Sequence, residues 1–377
     1  MKTYYLKSNT HTAVKPNTKA PKSQAPVYET IKLGIDWHAR QYRVVRLVDG
    51  AGPEPAQRFS PEAFLLWVSK QIKSARKVYS CYESGAGGFV LHRQLTELGV
   101  MNYVVAARKL DRDHPGVQTD ALDARELAMD LDRYVRGNPK ALRVVYVPSP
   151  EQEQRRQQVR QRTQLREHRL SLAAQGRSLL LAQGWVVSNR WWKKRPWEVL
   201  TPRLPAWIIE RLEIFRRLIL ALEEEIKALT QTIEQSAGSQ RPKGMGALTS
   251  EQIEREVCDW QRFKNRKSAG SYAGLAGGVS ASGPYQCDLP ITKAGNVRLR
   301  TALIELAWRW VVYQPQSKLV QRWGKVLLSP QAHKRARKRA IIALSRALFV
   351  ELWRWKTGRK KVEDLGWVMV TQPNTNN

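Results

Sequence analysis

At 377 residues the chain is long enough for two or three domains with a substantial core, and its 42% hydrophobic content supports a folded protein. A formal net charge of +31, from 64 Lys plus Arg against 33 Asp plus Glu, repels itself in the folded state and calls for a polyanion, with nucleic acid the leading candidate. A membrane is excluded as a medium, because no apolar run approaches the ~18 residues of a spanning helix and the N-terminus lacks the apolar core of a signal peptide. The three cysteines, Cys81, Cys258 and Cys287, have no CxxC spacing, so neither a zinc site nor a disulfide framework is indicated and a reducing, cytosolic setting follows.

Residues 1–28 are rich in Lys, Thr, Pro and Asn and hold no acid, which reads as a disordered basic arm. From Thr30 the character changes. Ile31, Leu33 and Ile35 alternate with Lys32 and Gly34 and lead into Asp36; Val44, Val45, Leu47 and Val48 precede the turn pair Asp49-Gly50. Two strands joined near Trp37 to Gln41 fit this pattern. A third strand is expected near Ala56 to Ser60, a helix from Pro61 to Ala75, and a strand over Lys77 to Tyr82 that finishes at Glu83 before a glycine-rich loop. A helix from Phe89 to Leu98, a strand from Met101 to Ala106 and a helix after Asp120 complete an α/β domain over residues 29–147.

Carboxylates fall at telling places in that order. Asp36 and Glu83 close two strands, and strand ends are where an α/β sheet gathers functional groups. Asp120 and Asp123, three apart, share one face of a helix and repel each other there. A solvated first turn would tolerate them, since the helix dipole favours acids at that end. Together with Asp36 and Glu83, however, they make a binding set for Mg²⁺ or Mn²⁺, which could bracket a phosphate. His38, in the turn after Asp36, reads as a solvated turn residue rather than a ligand.

Pro148 and Pro150 end the first domain, and residues 148–237 read as a helical region. Ile209, Leu212, Phe215, Ile219, Leu222, Ile226, Leu229 and Ile233 step by threes and fours, a heptad-like seam that predicts an antiparallel hairpin or an intermolecular coiled coil. The basic loop Arg190 to Trp197 could stack its tryptophans on bases or bury them. Residues 238–370 form a mainly α-helical C-terminal domain that starts at Lys243-Gly244-Met245-Gly246, similar to a helix-hairpin-helix turn. A Gly/Ser loop over 276–284 contains Ser282; a cationic segment with Lys293, Asn296, Arg298 and Arg300 follows and opens a helix from about Val297. Another helix begins with His333, Lys334, Arg335, Arg337 and Lys338, whose charges lack acidic partners and suit phosphates. Residues 371–377 read as a disordered tail.

Two of these segments resemble one family. Gly34-Ile35-Asp36, Tyr82-Glu83-Ser84-Gly85 and Thr119-Asp120-Ala121-Leu122-Asp123 resemble the DEDD-type transposases of bacterial insertion sequences, the RNA-guided bridge recombinase class. The stretch with Gly274-Leu275, Ser282-Gly283 and Lys293-Ala294-Gly295-Asn296 resembles the C-terminal transposase domain of the same family. The resemblance implies a RuvC-like (RNase H-like) fold for the first domain, with Asp36, Glu83, Asp120 and Asp123 as a metal-binding tetrad. It implies Ser282 as the nucleophile, double-stranded donor and target DNA, a structured noncoding RNA as guide, a homotetramer, and a place near the bacterial nucleoid. Gln118 departs from the family pattern, where Lys precedes the Thr-Asp pair, and so does Gly277, where a proline often stands. A water-using junction nuclease and a non-catalytic nucleic-acid-binding protein are the alternative functions.

Overall fold

In the computed structural model of the chain, residues 27–106, 119–282 and 285–370 are described. The expected basic arm up to residue 26, Gln118 and the tail 371–377 lie outside them. The chain divides between Val147 and Pro148 into two compact units.

The first unit is a five-stranded mixed sheet. Its strands are β1 (Tyr28–Trp37), β2 (Tyr42–Val48), β3 (Gln57–Phe59), β4 (Ala75–Glu83) and β5 (Met101–Val105), in the order β3-β2-β1-β4-β5. β1 and β2 form the antiparallel pair expected from the turn after Trp37, whereas β1, β4 and β5 run parallel. Parallel strands need helical crossovers; α1 (Pro61–Ser74) and α2 (Val90–Glu97) supply them, and α3 (Asp120–Val135) follows β5. Alternation decides the two faces. Ile31, Leu33 and Ile35 point into a core with Phe64, Val68, Leu91 and Leu95 from α1 and α2, and the even-numbered residues of β1 therefore face α3.

Two features of β1 hold α3 in place. At Gly34 an added Cβ would collide with the carbonyl of Ala124 and the amide of Ala128, so the helix backbone lies directly on the strand. Two residues earlier, the buried Lys32 ammonium donates to Asp132 Oδ1 at 2.8 Å and to the carbonyl of Asp49 at 3.1 Å. Burial pushes the Asp132 carboxyl up, but the hydrogen bonds and charges of Lys32 and Arg136 outweigh it and hold the group below the usual carboxylate range.

The second unit begins with a helical hairpin. Ser149 caps α4 (Pro150–Ala182) in a reciprocal arrangement with Gln152. After α5 (Lys194–Leu200), α6 (Ala206–Gln235) returns antiparallel to α4, pairing Arg162 with Thr230 and Arg169 with Glu223. The seam thus closes within one chain: Leu212, Ile219 and Ile233 are buried and the other seam positions are half-buried. The tryptophans of the basic loop are part of this core. Trp191 is fully buried and donates its indole N–H to the carbonyl of Ala173, and Trp192 donates to Glu223. Burial of both rings, with their N–H groups satisfied, leaves them unable to stack on bases.

α7 (Ala247–Val257), α8 (Arg266–Tyr272), α9 (Val297–Tyr313), the short α10 (Lys318–Arg322) and α11 (Gly324–Leu327), α12 (Lys334–Lys356) and α13 (Val362–Leu365) surround a core of Leu303, Leu306, Trp310, Leu344, Leu348 and Phe349. Between α8 and α9 the expected Gly/Ser loop is instead a hairpin of β6 (Gly277–Ser282) and β7 (Tyr285–Ile291), in which Ser282 pairs with Tyr285. The alternating Tyr285, Cys287 and Leu289 supply a strand pattern that the glycines and serines before them mask. Gly283 and Pro284 lie outside the described residues.

Replacing Asp132 by Asn leaves the buried Lys32 ammonium without its counter-charge and costs about 3 kcal/mol. Because the carboxyl is depressed in the fold, its contribution is full above the unfolded value of ~4 and is lost as pH falls through the lower folded value. Urea unfolding at pH 7 and pH 3 should show the wild-type advantage over Asp132→Asn shrinking at the acid end. An equal gap at both pH values contradicts the ion-pair account.

Candidate active site

The acid cluster follows from the packing of α3. Ala124, which rests on Gly34, lies one helical turn after Asp120, so the same contact carries Asp120 toward the end of β1 where Asp36 stands. Thr119 caps α3 through its side chain and thereby sets where the helix begins. His38 enters the cluster from the turn, where its amide donates to the carbonyl of Gln41 at 2.9 Å. Its Nε2 is 3.3 Å from Asp36 Oδ2 and 3.8 Å from Asp120 Oδ1, and one ligand atom from each of Asp36, His38 and Asp120 lies within 4.8 Å of the others. His38 is exposed, as expected of a turn residue, and its ring also faces the two carboxylates. The Asp-x-His spacing at a strand end was the available signal, since it returns the ring to the strand's last acid.

Glu83 sits one residue beyond Tyr82, which is level with Ile35 in the parallel β1–β4 ladder. Asp36 and Glu83 are thus equivalent positions on neighbouring strands, whose spacing is about 4.8 Å. Asp123 is close enough to Asp36 to act on its charge. The Asp36 carboxyl is pushed up chiefly by burial; His38 opposes the shift, and Asp120 and Asp123 add to it by repulsion. Asp123 is pushed up as well, by burial first and then by Glu126 and Asp120. Among the described residues no Lys or Arg forms an ion pair with Asp36, Asp120 or Asp123. The Asp36 and Asp120 carboxylates, part-buried and close enough to repel each other, fit a hard divalent cation of the Mg²⁺ or Mn²⁺ type; Glu83 and Asp123 lie outside that tight group, and Asp123 is exposed. The His38 Nε2 borders the Asp36 and Asp120 carboxylates.

In the second unit Ser282 is the last residue of β6. The segment after β7 is sewn to the end of α8: the amide of Thr292 donates to Ala276, that of Lys293 to Gly274 and that of Asn296 to Tyr272. Lys293 takes a positive φ of 54° and is exposed. At Gly295, with φ of 140°, a Cβ would strike the carbonyl of Tyr272, so only glycine fits this crossing. Asn296 caps α9 by accepting from the amide of Leu299, and its Nδ2 donates to Glu256 Oε2 at 2.7 Å. Glu256, fully buried, also receives two hydrogen bonds from Arg160 of α4, at 2.9 and 2.8 Å. Burial raises the Glu256 carboxyl, but Arg160 and Asn296 more than offset this and hold it low. Arg300 donates to the carbonyls of Ala273 and Lys293. Asn296 and Arg300 are therefore used internally to shape the segment, while Lys293 is exposed on its surface and Arg298 is half-buried. The Arg160–Glu256 brace was not legible beforehand, because its members lie 96 positions apart.

At the start of α12, Lys334, Arg335 and Lys338 are exposed, whereas Arg337 turns back to donate to the carbonyl of Ser329. Cations at a helix N-terminus oppose the dipole.

Residues 240–321, which include Ser282 and the sewn segment, match the model of the Transposase IS116/IS110/IS902 family. A Sinorhizobium fredii (strain NBRC 101917 / NGR234) protein named "Putative transposase y4rJ" is 32% identical over 321 residues, spanning 77% of this chain and 79% of that one. The "Transposase for insertion sequence element IS1111A" of Coxiella burnetii (strain RSA 493 / Nine Mile phase I) is 25% identical over 286 residues, 72% of this chain and 75% of that one. The chain belongs to the IS116/IS110/IS902 family of transposases, enzymes that cut and join DNA. No helix among the described residues is long and apolar enough to cross a membrane.

The raised Asp36 and Asp123 carboxyls give a sign for metal binding. Their ionisation is disfavoured in the fold, so stability falls as pH rises through their values, and a bound divalent cation reverses that loss. Excess MnCl₂ or MgCl₂ at pH 7.5 should raise the melting temperature of the wild type by about 3 °C. The increment should shrink at pH 5 and vanish in Asp36→Asn and Asp120→Asn, which without metal melt no lower than the wild type. Gly34→Val should abolish the increment too, by lifting α3 off β1. A wild-type melting temperature indifferent to both cations rules the metal site out.

Proposed function

We propose that this transposase cuts and rejoins DNA by transesterification at Ser282, with Asp36, Glu83, Asp120 and Asp123 holding Mg²⁺ or Mn²⁺ and His38 bordering that set. The observation that carries the reading is the convergence of Asp36, Asp120 and His38 on one small volume at a strand end in a chain of a DNA-recombining family. A sheet ordered β3-β2-β1-β4-β5, antiparallel on one side and parallel on the other, supports an RNase H-like identity for the first unit.

When bound there, a divalent cation would supply charge neutralisation on a DNA phosphate. The chain's own residues do the rest. The Ser282 oxygen forms a bond to phosphorus as the bond from phosphorus to one sugar oxygen breaks, and that oxygen leaves with the proton the serine gave up. The phosphoserine link keeps the bond energy, so a hydroxyl on another DNA strand can displace Ser282 and restore both the serine and a phosphodiester. Lys293 and Arg298, and Lys334, Arg335 and Lys338 on α12, neutralise DNA phosphates. Asn296, Arg300 and Arg337 act through the backbone they brace. A structured noncoding RNA as guide and a homotetramer complete the proposal; the net charge of +31 suits two polyanions at once.

Incubation of the protein with Mg²⁺, element-end DNA and RNA transcribed from the element's flanks should give a protein–DNA adduct that survives denaturant. Ser282→Ala should remove the adduct, and Asp36→Ala should reduce its formation at least ~100-fold, about 2.7 kcal/mol of transition-state stabilisation. Cleavage that persists in Ser282→Ala without an adduct contradicts the serine step and favours a nuclease that uses water. Full recombination by both variants contradicts catalysis by these residues altogether.

A further inference from the structure

A cleft of about 550 Å³ opens in the second unit between α8, α10 and α12, at the root of the β6–β7 hairpin. Its rim carries Arg266, Lys267, Arg322, Arg339, Arg346 and Arg354 against the one carboxylate of Glu351. Arg354 is paired with Glu351 at 2.8 Å. The other five cations form no ion pair among the described residues and are exposed. Five uncompensated cations around one opening repel each other unless a polyanion joins them. None of them belongs to the basic groups assigned to DNA above.

The interior is unlike the rim. Ala343 and Ala347, on the face of α12 between Arg339 and Arg346, leave a shallow floor, and Leu319, Trp323 and Val350 wall it. The guanidinium of Arg322 lies 5.0 Å over the indole of Trp323. A volume of this size suits a ligand no larger than about one or two nucleotides. A duplex keeps its bases stacked inside and offers only phosphates, so it could touch the rim but could not fill the floor. A single strand offers both parts: phosphates for the rim and an unstacked base for the apolar interior. From Arg339 to Arg354 the rim runs about 22 Å along α12, enough for several phosphates. Gly277 and Ile291 line the cleft as the first pair of the hairpin, and five strand residues on, about 17 Å, stands Ser282.

We infer that this cleft is a binding site for single-stranded nucleic acid, which holds one unstacked base on the Ala343–Ala347 floor and the flanking phosphates on Arg266, Lys267, Arg322, Arg339 and Arg346. The inference rests on the recombinase reading and deepens it: the strand held there is an unpaired stretch of DNA or RNA beside the serine hairpin.

Fluorescence anisotropy of the full-length protein with labelled 15-mers of dT, of rU and of a mixed-sequence duplex tests the site. Arg339→Gln with Arg346→Gln should weaken binding of the single strands at least about tenfold and flatten its salt dependence by about two phosphates, with less than about a threefold change for the duplex. Ala347→Leu keeps the charge and puts another strong helix former at a half-buried position, so it should fold; filling the floor, it should weaken the single strands about tenfold and leave the duplex unchanged. Equal losses for single strands and duplex, or single-strand affinity unmoved by Ala347→Leu, overturn the inference. A wild type that binds the duplex but neither single strand overturns the cleft alone, whereas one that binds no probe overturns it together with the recombinase reading. The ratio of dT to rU affinity tells which nucleic acid is preferred.

Discussion

The contact that the first unit depends on is the seating of α3 on β1 at Gly34. Absence of a side chain there lets the helix backbone touch the strand, and the Lys32–Asp132 pair fixes the helix at its other end. Once both contacts exist, the position of Asp120 relative to Asp36 is no longer free. The price is electrostatic: three carboxylates and a histidine crowd one corner, and burial there pushes Asp36 toward its neutral form. Perturbed carboxyls that cluster in this way are the kind of site a functional cation would use.

The second unit solves a different problem, which is to hold a mobile type of sequence still. The stretch from Gly274 to Gly295 is poor in bulky residues, and its geometry comes from backbone bonds to the end of α8 and from Asn296 at the cap of α9. Glu256 is the centre of that arrangement. It is buried between Arg160 and Asn296, so the helical hairpin, α7 and the start of α9 share one charged hydrogen-bond network. Removing one member would leave a buried charge uncompensated; the network therefore ties the orientation of the serine hairpin's base to the long helix α4.

Much of the α/β unit was legible in the sequence because alternation and strand-end acids are local signals. Ile31, Leu33 and Ile35 announce a strand with one core face, and the helix after Asp120 follows from its cap and its apolar side. His38 is exposed, as a turn histidine is expected to be; what its local sequence does not reveal is that the packing of α3 brings a second carboxylate beside it. The tryptophans at 191 and 192 were ambiguous for a related reason. Arg and Lys beside them suggest a surface, but the indole N–H groups find Ala173 and Glu223 on other helices, which local sequence does not reveal. Ser282 looked like part of a loop because glycine and serine hide a strand pattern that its partner strand carries. Of the candidate DNA contacts, Asn296 and Arg300 turned out to bond within the protein, since a cap and an ordered loop consume the same polar groups that would serve a phosphate.

The central claim is that α3 and β1 together build a divalent-cation site. Anomalous scattering from crystals of the protein grown with Mn²⁺ tests it most directly. The account predicts a manganese peak within about 2.2 Å of carboxylate oxygens of Asp36 and Asp120. A map with manganese bound elsewhere and none at this corner would contradict it.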